Sequence, residues 1–289
     1  MPEILAIDIG GTKMAAAVVD DVGRLRGRGQ VATQPSLSGD ALFDTLASLA
    51  DEVLLATGAT PEACGVGCGG PMTAGGKTVS PLNIEAWRGY PLRGRLVEHL
   101  GFDRVGVDND AKALALGEGW LGAARDVDDY LAMVVSTGVG GGIVVDGRAL
   151  DGAAGNAGHI GHIIVEPDGR ACACGSRGCL EAEASGTAIA AITGRPASEA
   201  GPAMRRRVGT LVGRAVAQSA VLLDLRLALV GGSVGLGYGE VLVAAAQAEI
   251  DRLARIEFCR GLTIANVGLG PDAPLIGAAA LGRRALMQS

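Results

Sequence analysis

A self-similarity at long range constrains this chain more than any single motif. The segment LAIDIGGTKMAAAVVD (Leu5–Asp20) aligns without a gap with LAMVVSTGVGGGIVVD (Leu131–Asp146), 126 positions on. Each copy is an apolar run, a small polar turn, a second apolar run and a closing Val-Val-Asp, the pattern of a β-hairpin. A repeat at this distance implies two related half-molecules, each offering a hairpin turn to a shared cleft.

The rest of the pattern is α/β. A weaker third strand is expected over Arg24–Thr33. Asp40 is expected to cap a helix whose apolar positions Leu42, Phe43, Leu46, Leu49, Val53 and Leu54 recur at three and four, and Gly58 to end it. Short strands are expected at Cys64–Gly67, Arg104–Val107, Leu227–Val230 and Leu262–Ala265. Helices are expected at Leu92–Leu100, Ala111–Leu121, Ala203–Asp224, Gly239–Ile256 and Ala273–Met287.

Composition removes whole function classes. With 289 residues, 48% hydrophobic and 19% charged, the chain can bury a real core and is neither disordered nor a coiled coil. A net charge of −6 and the lack of a basic block argue against nucleic acid as a partner. No apolar run reaches the roughly 18 residues of a membrane span. The opening MPEILAIDIGG has no cationic leader, so a cytoplasmic protein is expected.

Asp8-Ile-Gly-Gly-Thr-Lys13 places a carboxylate at a strand end, then two residues without side chains, then a hydroxyl. Glycines let backbone N–H groups approach an anion, and Asp8 can hold Mg²⁺ through water. An ordinary hairpin turn would read the same in isolation. Ser136-Thr137-Gly138-Val139-Gly140-Gly141-Gly142 in the matching position makes two phosphate cradles the better account. No G-x-x-x-x-G-K-[ST] occurs. Gly65-x-Gly67-x-x-Gly70 is followed at once by Pro71, so no helix N-terminus opens there for a pyrophosphate, and a Rossmann site is rejected.

Asn109-Asp110 ends one strand and opens a helix. Asp110 can be a simple N-cap, but Asp108, Asn109 and Asp110 are a denser polar cluster than a cap requires. A carboxylate beside an amide can take a proton from a hydroxyl nucleophile and fix its neighbours. His162-x9-Cys172-x-Cys174-x4-Cys179 puts four soft ligands within 18 residues, a set that suits tetrahedral zinc with no position left for water, hence a structural site. His159 and Glu181 flank it, either as substrate contacts on a rigid loop or as locally bonded polar residues. Cys64, Cys68 and Cys259 lack partners at useful spacing and read as small buried hydrophobes. Trp87, Trp120 and Arg205-Arg206-Arg207 carry no assignable role; core packing and a solvated helix face suffice.

DIGGT, NDA, STGVGGG, GHIGH with CxCGxxGCxE, and VGGSVG, in this order from Ile4 to about Ala280, resemble the ROK family of bacterial sugar kinases and regulators. The resemblance implies an actin-like ATPase (ribonuclease H-like) fold of two α/β domains around a deep cleft, with a zinc-bound loop. Residues 1–110 plus 273–289 would form the first domain, 111–272 the second, and the protein would be a homodimer. It further implies that Asp8, Gly10, Gly11, Thr12 and Lys13 form the first phosphate loop, Thr137 and Gly138 the second, and Gly231 and Gly232 the adenosine side. Asn83, Asn109 and Glu181 would bind sugar hydroxyls, Asp110 would be the catalytic base, and His162 would join Cys172, Cys174 and Cys179 on zinc.

The implied activity is ATP- and Mg²⁺-dependent phosphorylation of the 6-hydroxyl of a hexose. Many glucokinases of the family carry Glu where this chain has His159. The AGHIGH context, with VSTGVGGG and VGGSVGL, is more similar to the family's bacterial N-acetylmannosamine kinases, so a 2-acetamido sugar is favoured over glucose. Family repressors carry a helix-turn-helix ahead of the kinase-like body, whereas only three residues precede the first strand here. A sugar sensor without catalysis would be expected to lose Asp110 or a phosphate loop, and both are present.

Overall fold

The computed structural model describes residues 2–287. Its strands form two five-stranded sheets of the same design. In the first, β1 (Ile4–Ile9), β2 (Lys13–Val19) and β3 (Leu25–Ala32) make an antiparallel meander, and β4 (Ala63–Cys68) and β5 (Val105–Asn109) continue it in parallel, in the order β3-β2-β1-β4-β5. In the second, β6 (Tyr130–Val135), β7 (Val139–Val145) and β8 (Arg148–Ala149) are the meander, and β9 (Leu227–Gly231) and β10 (Thr263–Asn266) the parallel continuation, in the order β8-β7-β6-β9-β10. The internal echo is thus a repeat of topology. One detail differs: Ile9 pairs with Met14 but Val135 with Val139, so the second turn is one residue tighter than the ungapped alignment implies.

The chain divides into two compact units. The first contains residues up to 122, 151–157 and those from 269 on; the second contains 123–150 and 158–268. Helix α3 (Asp110–Leu121) therefore counts with the first unit, where Gly277 of α8 (Ala273–Met287) packs on its backbone.

In the first unit β1 is buried on both faces, which explains its unbroken apolar run. Leu5, Ile7 and Ile9 meet Leu42, Phe43 and Leu46 of α1 (Gly39–Thr57), while Ile4 and Ala6 meet Leu275, Ala278 and Ala279 of α8. Gly65 allows the second contact: a Cβ there would lie 1.8 Å from the Ala278 carbonyl oxygen. That close packing, and not a nucleotide, accounts for the first glycine of the Rossmann-like string. Trp87, in a 3-10 turn at Glu85–Trp87 ahead of α2 (Leu92–Leu100), is fully buried, with Nε1 donating to the Gly39 carbonyl. Cys64, Cys68 and Cys259 are buried as expected.

In the second unit Leu131, Met133 and Val135 pack with Val208, Leu211 and Val212 of α6 (Pro202–Leu223) and Leu242 of α7 (Gly232–Leu253). Three local expectations need correction. Ser38, not Asp40, caps α1: its Oγ accepts from the Ala41 N–H, and Asp40 in the first turn instead pairs with Arg95 at 2.6 Å. Helix α7 begins at Gly232, seven residues before the expected Gly239, which is a kink inside it (φ 49°, ψ −130°), and it ends at Leu253 rather than Ile256. Two short helices, α4 (Leu180–Ala184) and α5 (Gly186–Thr193), follow the cysteine cluster where none was expected. No helix of the described residues is long and apolar enough to cross a membrane.

Candidate active site

In the first unit the carboxyl ends of β1, β4 and β5 lie side by side: Asp8 pairs with Gly67, Gly67 with Asp108, and Cys68 with Asn109. This edge is where ligands of open α/β sheets bind, because the strands stop and the following loops and helix N-termini converge. A Cβ on Gly67 would lie 3.7 Å both from Oδ1 of Asp8 and from Cα of Asp110, so the two acidic residues flank β4. Burial, reinforced by the charge of Asp110 and opposed by Lys13, pushes the Asp8 carboxyl up to about 6. A desolvated carboxylate next to a second one is a site that a dication would relieve.

Asn109 is the N-cap of α3, its Oδ1 accepting from the Ala111 N–H at 3.0 Å. Asp110, exposed in the first turn, accepts from the same N–H at 2.8 Å. The capping role weighed for Asp110 is therefore shared, with Asn109 in the cap position proper. That bond also fixes the Asn109 amide and leaves its Nδ2 toward Gly70, where a Cβ would stand 3.4 Å away.

The β1–β2 turn is held from outside the motif. Gly10 N–H donates to the Lys13 carbonyl, Thr33 Oγ1 donates to the Gly10 carbonyl at 2.7 Å, and Thr33 N–H donates to Thr12. Thr12 and Lys13 are exposed. Gly11 must be glycine because Asn83 lies against it: a Cβ would come within 2.6 Å of the Asn83 Cβ. Asp8, the Gly10–Lys13 turn, Asn83, Asn109 and Asp110 thus all belong to the first unit.

The second unit carries the remaining candidates. The β6–β7 turn presents Thr137, exposed at its tip, and Gly138. Its backbone is anchored by the start of α5: Gly186 N–H donates to the Ser136 carbonyl at 2.7 Å and Thr187 Oγ1 to the Thr137 carbonyl at 2.9 Å. Gly231 and Gly232 sit at the β9–α7 junction beside it, with Ser233 Oγ 3.0 Å from Ser136 Oγ. Gly232 has φ 86°, and a Cβ there would meet the Val135 carbonyl oxygen at 2.4 Å.

His162, Cys172, Cys174 and Cys179 converge, their ligand atoms all within 4.8 Å of one another. Cys172 Sγ is 3.7 Å from His162 Nδ1, and Cys174 Sγ is 3.7 Å from Cys179 Sγ. A tetrahedron with metal–sulfur bonds of about 2.3 Å has edges of about 3.8 Å, so the donor set and its spacing fit a four-coordinate ion. The loop owes its shape to turns at Gly175 (φ 92°) and Gly178 (φ 69°). His159 precedes the 3-10 turn Ile160–His162, exposed, its ring 6.0 Å from that of His162. Glu181, in the first turn of α4, accepts from the Val139 N–H.

Several supporting residues carry no sequence signal of their own. Thr33 sits in a run of polar residues after a strand. Thr187 lies in the first turn of α5, a helix capped by Ser185 that the sequence reading did not expect. Arg207, left without a role, donates to the buried Glu183 at 2.7 Å, which in turn accepts from the Arg170 N–H of the cysteine loop.

Two like sheets, each with a glycine-bearing hairpin turn beside its parallel strands, define the actin-like ATPase fold class. Within that class the chain belongs to the ROK family, whose profile matches residues 4–285. It is 38% identical over 251 residues to the N-acetylmannosamine kinase of Citrobacter koseri, covering 81% of this chain and 84% of that one. Among solved structures it is similar to the ROK hexokinase from Thermus thermophilus (TM-score 0.85, 31% identity, 99% of this chain and 100% of that one). It is also similar to a ROK family glucokinase from Streptomyces griseus solved with glucose and AMPPNP (TM-score 0.81, 32% identity, 98% of this chain and 99% of that one).

Proposed function

We propose that this chain is an ATP-dependent sugar kinase that phosphorylates the 6-hydroxyl of a hexose, with N-acetylmannosamine preferred. The observation that carries the reading is the pair Asp8 and Asp110 flanking β4 at the carboxyl edge of the first sheet. One carboxyl is half-buried beside the first glycine turn and the other is exposed at a helix start, an arrangement suited to one cation-holding and one proton-accepting group.

In this reading Asp110 orients the sugar 6-hydroxyl and accepts its proton as the oxygen bonds to the γ-phosphorus. The bond from that phosphorus to the β–γ bridging oxygen breaks, and ADP leaves with the electron pair. Asn83 and Asn109, with His159 and Glu181, hold the sugar; Gly10, Gly11, Thr12 and Lys13 hold phosphate in the first unit, and Thr137 and Gly138 do so in the second. Gly231 and Gly232 leave room for adenosine. Asp8 would hold the Mg²⁺ that accompanies ATP, and that ion would supply neutralisation of phosphate charge. Positioning and charge neutralisation then supply most of the rate, as expected for a loose phosphoryl-transfer transition state. His162, Cys172, Cys174 and Cys179 would bind zinc as a closed structural site.

The sugar preference rests on His159 and on the likeness to N-acetylmannosamine kinases. A glucokinase is the second reading, favoured by the hexokinase and glucokinase among the similar structures. ADP release coupled to NADH oxidation, measured with N-acetylmannosamine, glucose and N-acetylglucosamine, separates them. The highest kcat/KM is expected for N-acetylmannosamine; glucose in first place overturns the sugar and keeps the kinase, and no turnover with any of the three overturns the kinase. A homodimer in the cytoplasm completes the proposal. Light scattering on the purified protein tests the dimer.

A further inference from the structure

Among the described residues β5 is the outer strand of the first sheet, with no strand along one of its edges. Arg93, in the first turn of α2, covers part of that edge, its Nε donating to the Val105 carbonyl at 2.9 Å. A cavity of about 560 Å³ runs along the strand from Asp103 to Asp108 and on to Arg284 of α8, wholly within the first unit. That volume suits a small molecule. None of Asp8, Gly10, Gly11, Thr12, Lys13, Asn83, Asn109 or Asp110 lines it.

Four cationic side chains line this cavity: Arg93, Arg104, Lys112 and Arg284. Two already have carboxylates. Lys112, only 2% exposed, lies 3.3 Å from Asp108 and donates to the Gly155 carbonyl at 2.8 Å, and Arg284 pairs with Asp151 at 2.7 Å. Neither Arg93 nor Arg104 has a carboxylate within 4.0 Å among the described residues, and Asp103 is the one lining carboxylate without a cation at that distance. Two guanidinium groups rooted within a dozen residues, both facing one cavity and neither neutralised, match a dianion. A guanidinium fork pairs bidentately with phosphate oxygens, and a phosphate monoester dianion offers oxygens and charge for two forks where a single carboxylate offers one charge.

We propose that this cavity is a second site, regulatory in effect, for a phosphate monoester gripped by Arg93 and Arg104. Binding there reaches the proposed active site through one short path. Asp108 and Lys112 line the cavity, and between them in sequence lie Asn109 and Asp110. A dianion competing with Asp108 for the Lys112 ammonium alters the β5–α3 junction that carries both residues. Only the regulatory half of this proposal rests on the kinase reading.

Isothermal titration of the intact protein with glycerol 3-phosphate, which is not a hexose, and separately with inorganic phosphate tests the site. Arg104→Ala is expected to weaken the ester at least tenfold while keeping basal turnover. Asp103→Asn is expected to tighten it, and Asp110→Asn to leave it unchanged. Inorganic phosphate binding with the same Arg104 dependence supports recognition of the dianion itself. No binding of either probe overturns the site, as does binding that Arg104→Ala leaves intact. In the kinase assay glycerol 3-phosphate is expected to change KM or kcat at least twofold in the natural protein and not in Arg104→Ala. Binding with unchanged kinetics overturns the regulatory half, and the titrations still read out if no sugar is turned over.

Discussion

The Glu181 carboxylate accepts a hydrogen bond from the backbone N–H of Val139 at 2.9 Å, and a Cβ on Gly138 would lie 2.7 Å from the same oxygen. Glu181 stands two residues after Cys179, which caps α4. The four-ligand cluster and the second glycine turn are therefore connected by less than one helical turn. An ion held by this cluster would thus act beyond local stability: whatever orders the cysteine loop also sets the carboxylate that holds the turn.

Removal of the metal should show this coupling. Protein purified without chelator is expected to contain one equivalent of zinc per chain. Stripping it, or replacing Cys172 by Ser, should lower Tm by about 10 °C, because losing a structural metal removes several kcal/mol and each is worth about 2–4 °C in a unit of this size. KM should rise both for ATP, through the Val139 contact, and for the sugar, through Glu181 and His159. Metal analysis, differential scanning fluorimetry and steady-state kinetics check the three parts. Less than half an equivalent of zinc, with Cys172→Ser folding normally, removes the structural site.

Asp110→Asn preserves shape and the bond to the Ala111 N–H but no longer accepts a proton. Turnover is expected to fall by at least about 100-fold, the lower end of the general-base range, with sugar KM within a few-fold of the natural value. Near-normal kcat in this variant would falsify the base assignment.

The sequence reading succeeded where burial was two-sided and failed where tertiary partners decided. β1 and β6 are apolar at nearly every position because both faces are covered, so both hairpins were legible, as was Gly58, whose φ of 63° no β-branched residue would tolerate cheaply. The start of α7 was hidden because Gly232, Gly235, Gly237 and Gly239 leave no apolar period to read. α4, at five residues, is too short to show one. Ser38 lost to Asp40 as the expected cap because both residue types cap helices, and only the Arg95 partner shows what Asp40 does instead. In the site, the Asp8–Asp110 relationship joins the end of β1 to the start of α3 across β4, and no local pattern announces it. The resemblance, not periodicity, placed Asn83, Gly231 and Gly232 among the candidates.

Asp8 should trade stability for function. Its folded-state pKa of about 6 lies above the ordinary 3.8 because of burial and Asp110, against Lys13. The folded protein therefore holds the Asp8 proton more tightly than the unfolded chain, and stability falls as pH rises from about 4 through 6. Above that window the cost is constant, at most about 3 kcal/mol. Asp8→Asn is expected to raise Tm by several degrees at pH 7.5, with the gap closing near pH 4, and to reduce turnover with MgATP severely. In the natural protein kcat/KM for MgATP should decline as pH drops through about 6, when Asp8 takes up its proton. Thermal melts across pH, with and without Mg²⁺, measure this. A lower Tm for Asp8→Asn at pH 7.5 contradicts it.

His159 is the residue on which the choice of sugar can be tested most directly. Exposed and three positions before the proposed metal ligand His162, it stands at the start of the 3-10 turn Ile160–His162, outside the buried core. An imidazole donates or accepts, whereas a carboxylate only accepts. His159→Glu adds a negative charge and removes the ability to donate to an acetamido carbonyl. A lost or gained polar contact of this kind is worth about 1–3 kcal/mol, so the ratio of kcat/KM for N-acetylmannosamine to that for glucose should fall by about 10- to 100-fold. Unchanged Tm and unchanged zinc content would confine the effect to the sugar. A ratio that stays within twofold, with both sugars turned over, means that His159 does not set the preference.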